Sequence, residues 1–183
     1  LIKSAKAEPG KVSYGSWGVG SPGHLGGEWL DYLTGSKMTH VPYREVSQLF
    51  TSVANGDPAW SFASLPSSRG IYQSGKIRYI AIAAPKRIAQ MPDVPTVAEA
   101  GGPAELDVNS FVSLLSPKGL DASVRDKIRS DVVAVLEDPQ IREKFAAFAY
   151  QPITWTVPEM QQHAKKRAEQ YKLLIEQAQI RLD

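Results

Sequence analysis

Within its first 35 residues the chain passes directly from strand to glycine-rich turn to capped helix. Residues 11–16 (KVSYGS) read as a short strand, and Gly15-Ser16-Trp17-Gly18-Val19-Gly20 reads as a tight turn. Ser21 and Pro22 then stand as N-cap and first helical residue. The helix is expected to run to about Leu33 and stop at Gly35. This order constrains the fold more than any other feature, because it opens a βαβ unit. It also sets the free N–H groups of a helix start beside a turn whose glycines let a ligand approach the main chain. The spacing G-x-x-G-x-G departs from the dinucleotide fingerprint, and no phosphate-binding lysine follows it. An anion or carboxylate site is one reading of the turn. The other is a plain tight turn in which Ser21 only caps.

The rest of the first 115 residues continues the alternation. Strands are expected at 38–41, 59–65, 77–83 and 108–115, and helices at 45–54 and 66–74, with one helical turn at 96–100. Asn55-Gly56-Asp57-Pro58 is a turn. The last 70 or so residues are helix-rich. Residues 122–137 carry Val124, Ile128, Val132 and Val135–Leu136 on one stripe, and 139–148 follow as a short segment. Thr156-Val157-Pro158-Glu159 matches a capping box and opens a last helix with a stripe of Met160, Ala164, Ala168, Tyr171 and Ile175. The fold class is therefore α/β, with a mostly parallel sheet flanked by helices. A boundary is expected between about 105 and 117.

Composition excludes several classes. The 21 basic and 19 acidic residues leave a net charge of +2, with no basic face for nucleic acid. The densest cluster, Lys165-Lys166-Arg167, reads as a solvated helix face. With no cysteine, thiolate zinc sites and thiol nucleophiles are out. No apolar run approaches the ~20 residues that span a bilayer, so the chain is not itself expected to be membrane-embedded. His24, His40 and His163 do not make a metal-ligand spacing. A serine hydrolase using Ser16 or Ser21 with His24 is the rival function, but there is no G-x-S-x-G elbow and no paired carboxylates. His40 is expected to be structural, and so is His24 unless it touches ligand. Trp29 reads as core. Trp17 either walls a pocket or packs on the adjacent helix.

The stretch Tyr14-Gly15-Ser16-Trp17-Gly18-Val19-Gly20-Ser21-Pro22-Gly23-His24-Leu25 resembles the glycine-rich loop of the solute receptors of tripartite tricarboxylate transporters, the Bug family. His40-Val41-Pro42-Tyr43, Leu65-Pro66-Ser67, Gly75-Lys76-Ile77-Arg78 and Ser116-Pro117-Lys118-Gly119 resemble it too. The longest match is Met91-Pro92-Asp93-Val94-Pro95-Thr96-Val97-Ala98-Glu99-Ala100-Gly101. The resemblance implies a type II-like periplasmic-binding-protein fold with two lobes. Residues 1–107 would form the second lobe and 108–183 would complete the first. The chain opens as if at the end of a helix, so a preceding stretch is expected to supply the remainder of that first lobe. The resemblance further implies a periplasmic receptor, not an enzyme. It would bind a small carboxylate, serve a membrane permease and need no cofactor. A solute sensor using the same pocket is the other alternative.

The ligand site is expected at Ser16, Trp17, Val19, Gly20 and Ser21, joined by Ala63 and Ser64. The sequence departs from the family at three places. Trp17 replaces a serine, Glu45 replaces a glycine, and residues 58–64 (PAWSFAS) lack the acids common before Leu65. A bulkier or aromatic carboxylate is expected over an amino acid, whose ammonium group needs an acidic partner.

Overall fold

The structure is a computed structural model that describes residues 1–109, 111–178 and 180. A short helix α1 (Ile2–Ala7) precedes strand β1 (Ser13–Ser16). Helix α2 (Pro22–Thr34) follows, then β2 (Thr39–Pro42), α3 (Val46–Ala54), β3 (Trp60–Ser61) and α4 (Leu65–Gln73). The sheet order is β2-β1-β3, and both pairings are parallel. In the register, Tyr14 lies opposite His40 on one side and Trp60 on the other.

Side chains alternate across a strand, and the two faces of β1 are covered by different helices. Tyr14 and Ser16 face α2, where Gly27 lets the helix backbone settle on the Tyr14 ring. Gly15 faces the other way, where a Cβ would collide with Leu49 of α3 and would lie 2.9 Å from Pro58. Ser21 caps α2, accepting the His24 N–H on its Oγ at 3.3 Å, and Gly35 ends the helix at φ 63°. Asp31 then fixes the connection to β2, because its carboxylate accepts the Met38 N–H and the Ser36 hydroxyl, each at 2.6 Å. The core joins Tyr14, Trp29, Leu30, Met38, Trp60 and Leu174. Burying a large apolar side chain of this kind stabilises by about 1.5–3 kcal/mol.

Three expected strands are short or absent. Residues 59–65 pair only at Trp60 and Ser61, because β1 leaves the sheet after Ser16 and offers no neighbour beyond. Residues 77–83 make a single bridge, Ile82 to Thr96, closed by Ile82 N–H to Pro95 O and Val97 N–H to Ile82 O. Extended backbone is a strand only when a ladder partner exists, and 77–81 have none among the described residues. The stretch 108–115 forms no strand among its described residues, and Val112 and Leu115 are 96% and 86% exposed. The expected turn at 96–100 forms, with Thr96 and Glu99 capping each other reciprocally.

Packing divides the chain into Leu1–Asn109 with His163–Asp183, and Ser110–Gln162. The second unit holds α5 (Ala122–Glu137) and α6 (Pro139–Ala147), capped by Asp121 and Asp138. Its expected apolar stripe is largely unburied: Val124, Ile128, Val132 and Val135 are exposed and Leu136 is half-buried. Helix α7 (Val157–Gln177) opens on the expected capping box, with Thr156 N–H on Glu159 Oε2 at 2.7 Å. The face it buries differs from expectation. Arg167 and Leu174 are buried, while Met160 and Ile175 are exposed. Arg167, expected in a solvated cluster, is 7% exposed. Its guanidinium donates to Asp107 O at 2.7 Å and Asp107 Oδ2 at 2.8 Å, and lies over the rings of Trp29 and Tyr171. Those partners repay the cost of burying the charge.

Candidate binding site

The strand order puts the site at the carboxyl ends of the strands, above the central strand β1. The chain goes from β1 through α2 to β2 on one side, then returns to place β3 on the other side of β1. The loops that leave the carboxyl ends of β1 and β3 therefore diverge. Such a switch point is where open parallel sheets form a ligand crevice. The loop after β1 is the glycine-rich turn. The loop after β3 contains Phe62, Ala63 and Ser64.

Beneath the turn lies a buried polar network. Tyr14, His40 and Trp60 form a row of aromatic rings across the three strands, with centroids 5.0 and 5.4 Å from the central Tyr14. The His24 ring, from the first turn of α2, stacks on His40 at 3.8 Å with 13° between planes. The Tyr14 hydroxyl donates to Glu28 Oε1 at 2.7 Å. Ser16 Oγ lies 2.7 Å from His40 Nε2, and accepts the Gly18 N–H at 3.2 Å. Gly20 N–H donates to His24 Nδ1 at 3.0 Å. Trp60 Nε1 is buried without a partner among the described residues.

Burial governs the charges here. It lowers the pKa of His24, and together with the neighbouring His24 it pushes His40 down to about 4. Burial raises Glu28, and Asp31 adds to that, against the opposing hydrogen bond from Tyr14. Burial and the Glu28 carboxylate push the Tyr14 hydroxyl up. The 3.7 Å approach of His24 Nε2 to Glu28 Oε1 is then a contact of a neutral imidazole, not an ion pair.

The expected site residues fall in distinct places. Ser16 has no exposed surface, and its hydroxyl serves Gly18 and His40. Trp17 is partly exposed, its ring about 3 Å from where a Cβ on Gly23 would stand, so it packs on the start of α2 while keeping a free edge. Val19 is exposed. The Gly20 amide is taken by His24, and Ser21 Oγ by the His24 amide. Ala63 and Ser64 are exposed at the end of β3, and Ser64 Oγ pairs with Ser67 Oγ at 2.7 Å. The N–H groups of Trp17, Val19 and Gly23 have no acceptor among the described residues. Three unpaired main-chain donors around one turn are a fit for a carboxylate. No group of three or more His, Asp or Glu able to hold a metal occurs among the described residues.

Sequence reasoning took His40 as structural without placing it under the turn, and did not single out Glu28. Glu28 had a local signal, since it follows His24 by four residues on one helix face. His40 had none, because its place beside Tyr14 depends on a strand register spanning 26 residues.

A parallel α/β unit with main-chain donors at its switch point is a build that solute-binding proteins share with other α/β folds, and comparison with known proteins narrows the choice. Rpa4515 of R. palustris, solved with adipate, superposes with a TM-score of 0.83 at 27% identity, covering 98% of this chain and 60% of its own. A structure described as a periplasmic transporter superposes at 0.76 with 35% identity, covering all of this chain and 60% of its own. The sequence profile of the TctC, or tripartite tricarboxylate transporter family receptor, matches residues 1–180, and the chain belongs to that family. A Cupriavidus necator protein, "UPF0065 protein in gbd 5'region", is 31% identical over 96% of this chain and 53% of its own length. BugT of Bordetella pertussis is 29% identical over 85% and 48%. The chain thus spans about half the length of these curated relatives.

Proposed function

We propose that this chain is the ligand-holding portion of a periplasmic receptor that captures a small carboxylate and delivers it to a membrane permease. The observation that carries the reading is the set of unpaired amides of Trp17, Val19 and Gly23 at the switch point. The adipate held by Rpa4515 supports the chemical class. In the two-lobe arrangement expected of such receptors, residues 1–107 form the second lobe and the chain from 108 returns to the first, although 163–183 pack here with 1–109.

Within the class, an aromatic or bulky acid suits this site better than an amino acid. The segments 14–24 and 58–67 contain no Asp or Glu to meet an ammonium group, and Trp17 offers a ring edge instead. The hydrolase reading has less support. Ser16 does contact a histidine, His40, but a nucleophile without exposed surface cannot meet a substrate. An imidazole pushed down to about 4 is also a weak general base near neutrality.

The test is the thermal midpoint of the full-length protein against benzoate, adipate, malate, aspartate and glutamate. A ligand that binds only the folded state raises the midpoint, by about 2.7 kcal/mol of stability at a hundred times its dissociation constant. A rise with benzoate and little with aspartate is expected. A rise only with the amino acids would overturn the aromatic preference, and no rise with any acid would overturn the receptor reading.

A further inference from the structure

The glycine-rich loop is suspended from the stacked imidazole pair, His24 buried and His40 half-buried. The Gly20 N–H donates to His24 Nδ1 at 3.0 Å, while the His24 N–H donates to Ser21 Oγ at 3.3 Å. The Gly18 N–H is drawn the same way, onto Ser16 Oγ, which lies 2.7 Å from His40 Nε2. The amides of 18 and 20 are thus consumed by the network below the loop, and those of 17 and 19 remain without an acceptor.

A nitrogen that accepts an N–H carries no proton, so His24 is neutral with its hydrogen on Nε2. A second proton would have to sit on Nδ1, donor against donor with Gly20. The ring stacked at 3.8 Å, His40, opposes that charge. Glu28 at 3.7 Å from Nε2 favours it, with Asp31 behind on the same helix. Tyr14 and Ser16 of β1 face the pair as neutral hydroxyls, and Trp60 of β3 brings no charge.

We propose, resting on the carboxylate-receptor reading, that His24 is the positioning residue of the ligand loop. Its unprotonated Nδ1 draws the Gly20 amide inward and so leaves the Trp17 and Val19 amides for the ligand carboxylate. A proton on that nitrogen releases the loop and the ligand with it. Burial, which lowers the pKa of both imidazoles, keeps the latch closed at neutral pH. The receptor then holds its solute at neutral pH and lets it go in acid.

Two variants of the full-length protein test this. His24→Asn places Oδ1 close to where Nδ1 stands and cannot titrate, whereas His24→Leu has no acceptor. Without ligand, hydrogen exchange of the Gly20 amide is followed by NMR from about pH 7.5 to about pH 4.5. Protection should fall with pH in the parent, persist in His24→Asn, and be absent in His24→Leu at every pH. With adipate, affinity is measured as the ratio of parent to His24→Asn at each pH, which cancels the titration of adipate itself. That ratio should drop roughly tenfold across the range, and His24→Leu should bind roughly tenfold more weakly than the parent at neutral pH. A Gly20 amide as protected in His24→Leu as in the parent, or a pH-independent ratio, would sink the latch. If His24→Leu does not fold, the ratio and the exchange profile of His24→Asn decide alone. The expected exchange pattern with no adipate binding in any form would uphold the latch and overturn the choice of adipate-like ligands.

Discussion

His24 is buried and His40 half-buried on the face of the sheet beneath α2, and this makes the protein sensitive to acid. Both imidazoles have folded-state pKa values below the ordinary 6.5, so the unfolded chain binds protons more readily than the folded one as pH falls. Stability is then full above pH 6.5 and declines toward about 4, the value to which His40 is pushed. Glu28 has the opposite sign, because its raised pKa contributes stability in acid that is lost as pH rises through it. His40, pushed down to about 4, sets the expected sign, and denaturant midpoints measured from neutrality down to about pH 4 should fall. A His40→Gln variant should show a shallower decline. At this scale glycine spacing and the cap at Ser21 made the turn legible, with Val19 exposed on it and Trp17 partly so. The sequence did not disclose that the Ser16 and Gly20 polar groups are used inward: the partner of Ser16, His40, arrives from a separate strand, and the Gly20 amide turns back onto the His24 ring of the helix that follows.

Helix α2 depends on small residues along one side and a carboxylate near its end. A Cβ on Gly26 would stand 2.7 Å from Val108, and Gly27 admits the Tyr14 ring, so the helix lies close on the sheet. Asp31 holds the turn into β2 by accepting from Met38 and Ser36. Asp31→Ala would leave the Met38 N–H buried without an acceptor. It should cost about 2–3 kcal/mol, read as a lower urea midpoint at unchanged slope, and Asp31→Asn should cost less. Elements with strong end signals were legible: the Ser21 cap and the Thr156/Glu159 box mark helix starts that form within a residue or so. The buried face of α7 was not, because hydrophobic spacing passes over Arg167. Strands at 77–83 and 108–115 were misjudged because a strand is a property of two segments, and apolar composition reports on only one.

In the molecule as a whole, the first unit draws residues far apart in the chain together through Arg167, which holds Asp107 and lies over Trp29 and Tyr171. Arg167→Ala should destabilise that unit by about 2 kcal/mol, less than a fully buried pair would lose because Asp107 is partly exposed. Arg167→Lys should recover little, since an ammonium cannot reproduce the two-pronged contact; chemical denaturation of both variants checks this. The α/β class and the parallel sheet were legible from the alternation of elements. The two exits of the chain from the first unit, after Asn109 and within α7, were less so, because a helix running through a boundary leaves no break in its own periodicity. The unpaired amides of Trp17, Val19 and Gly23 have one more consequence. Main-chain N–H groups survive almost every substitution, whereas the side chains around them do not. A receptor that grips its carboxylate through them can exchange its rim freely, acquiring new solutes by point mutation without ever surrendering the handle by which it holds them.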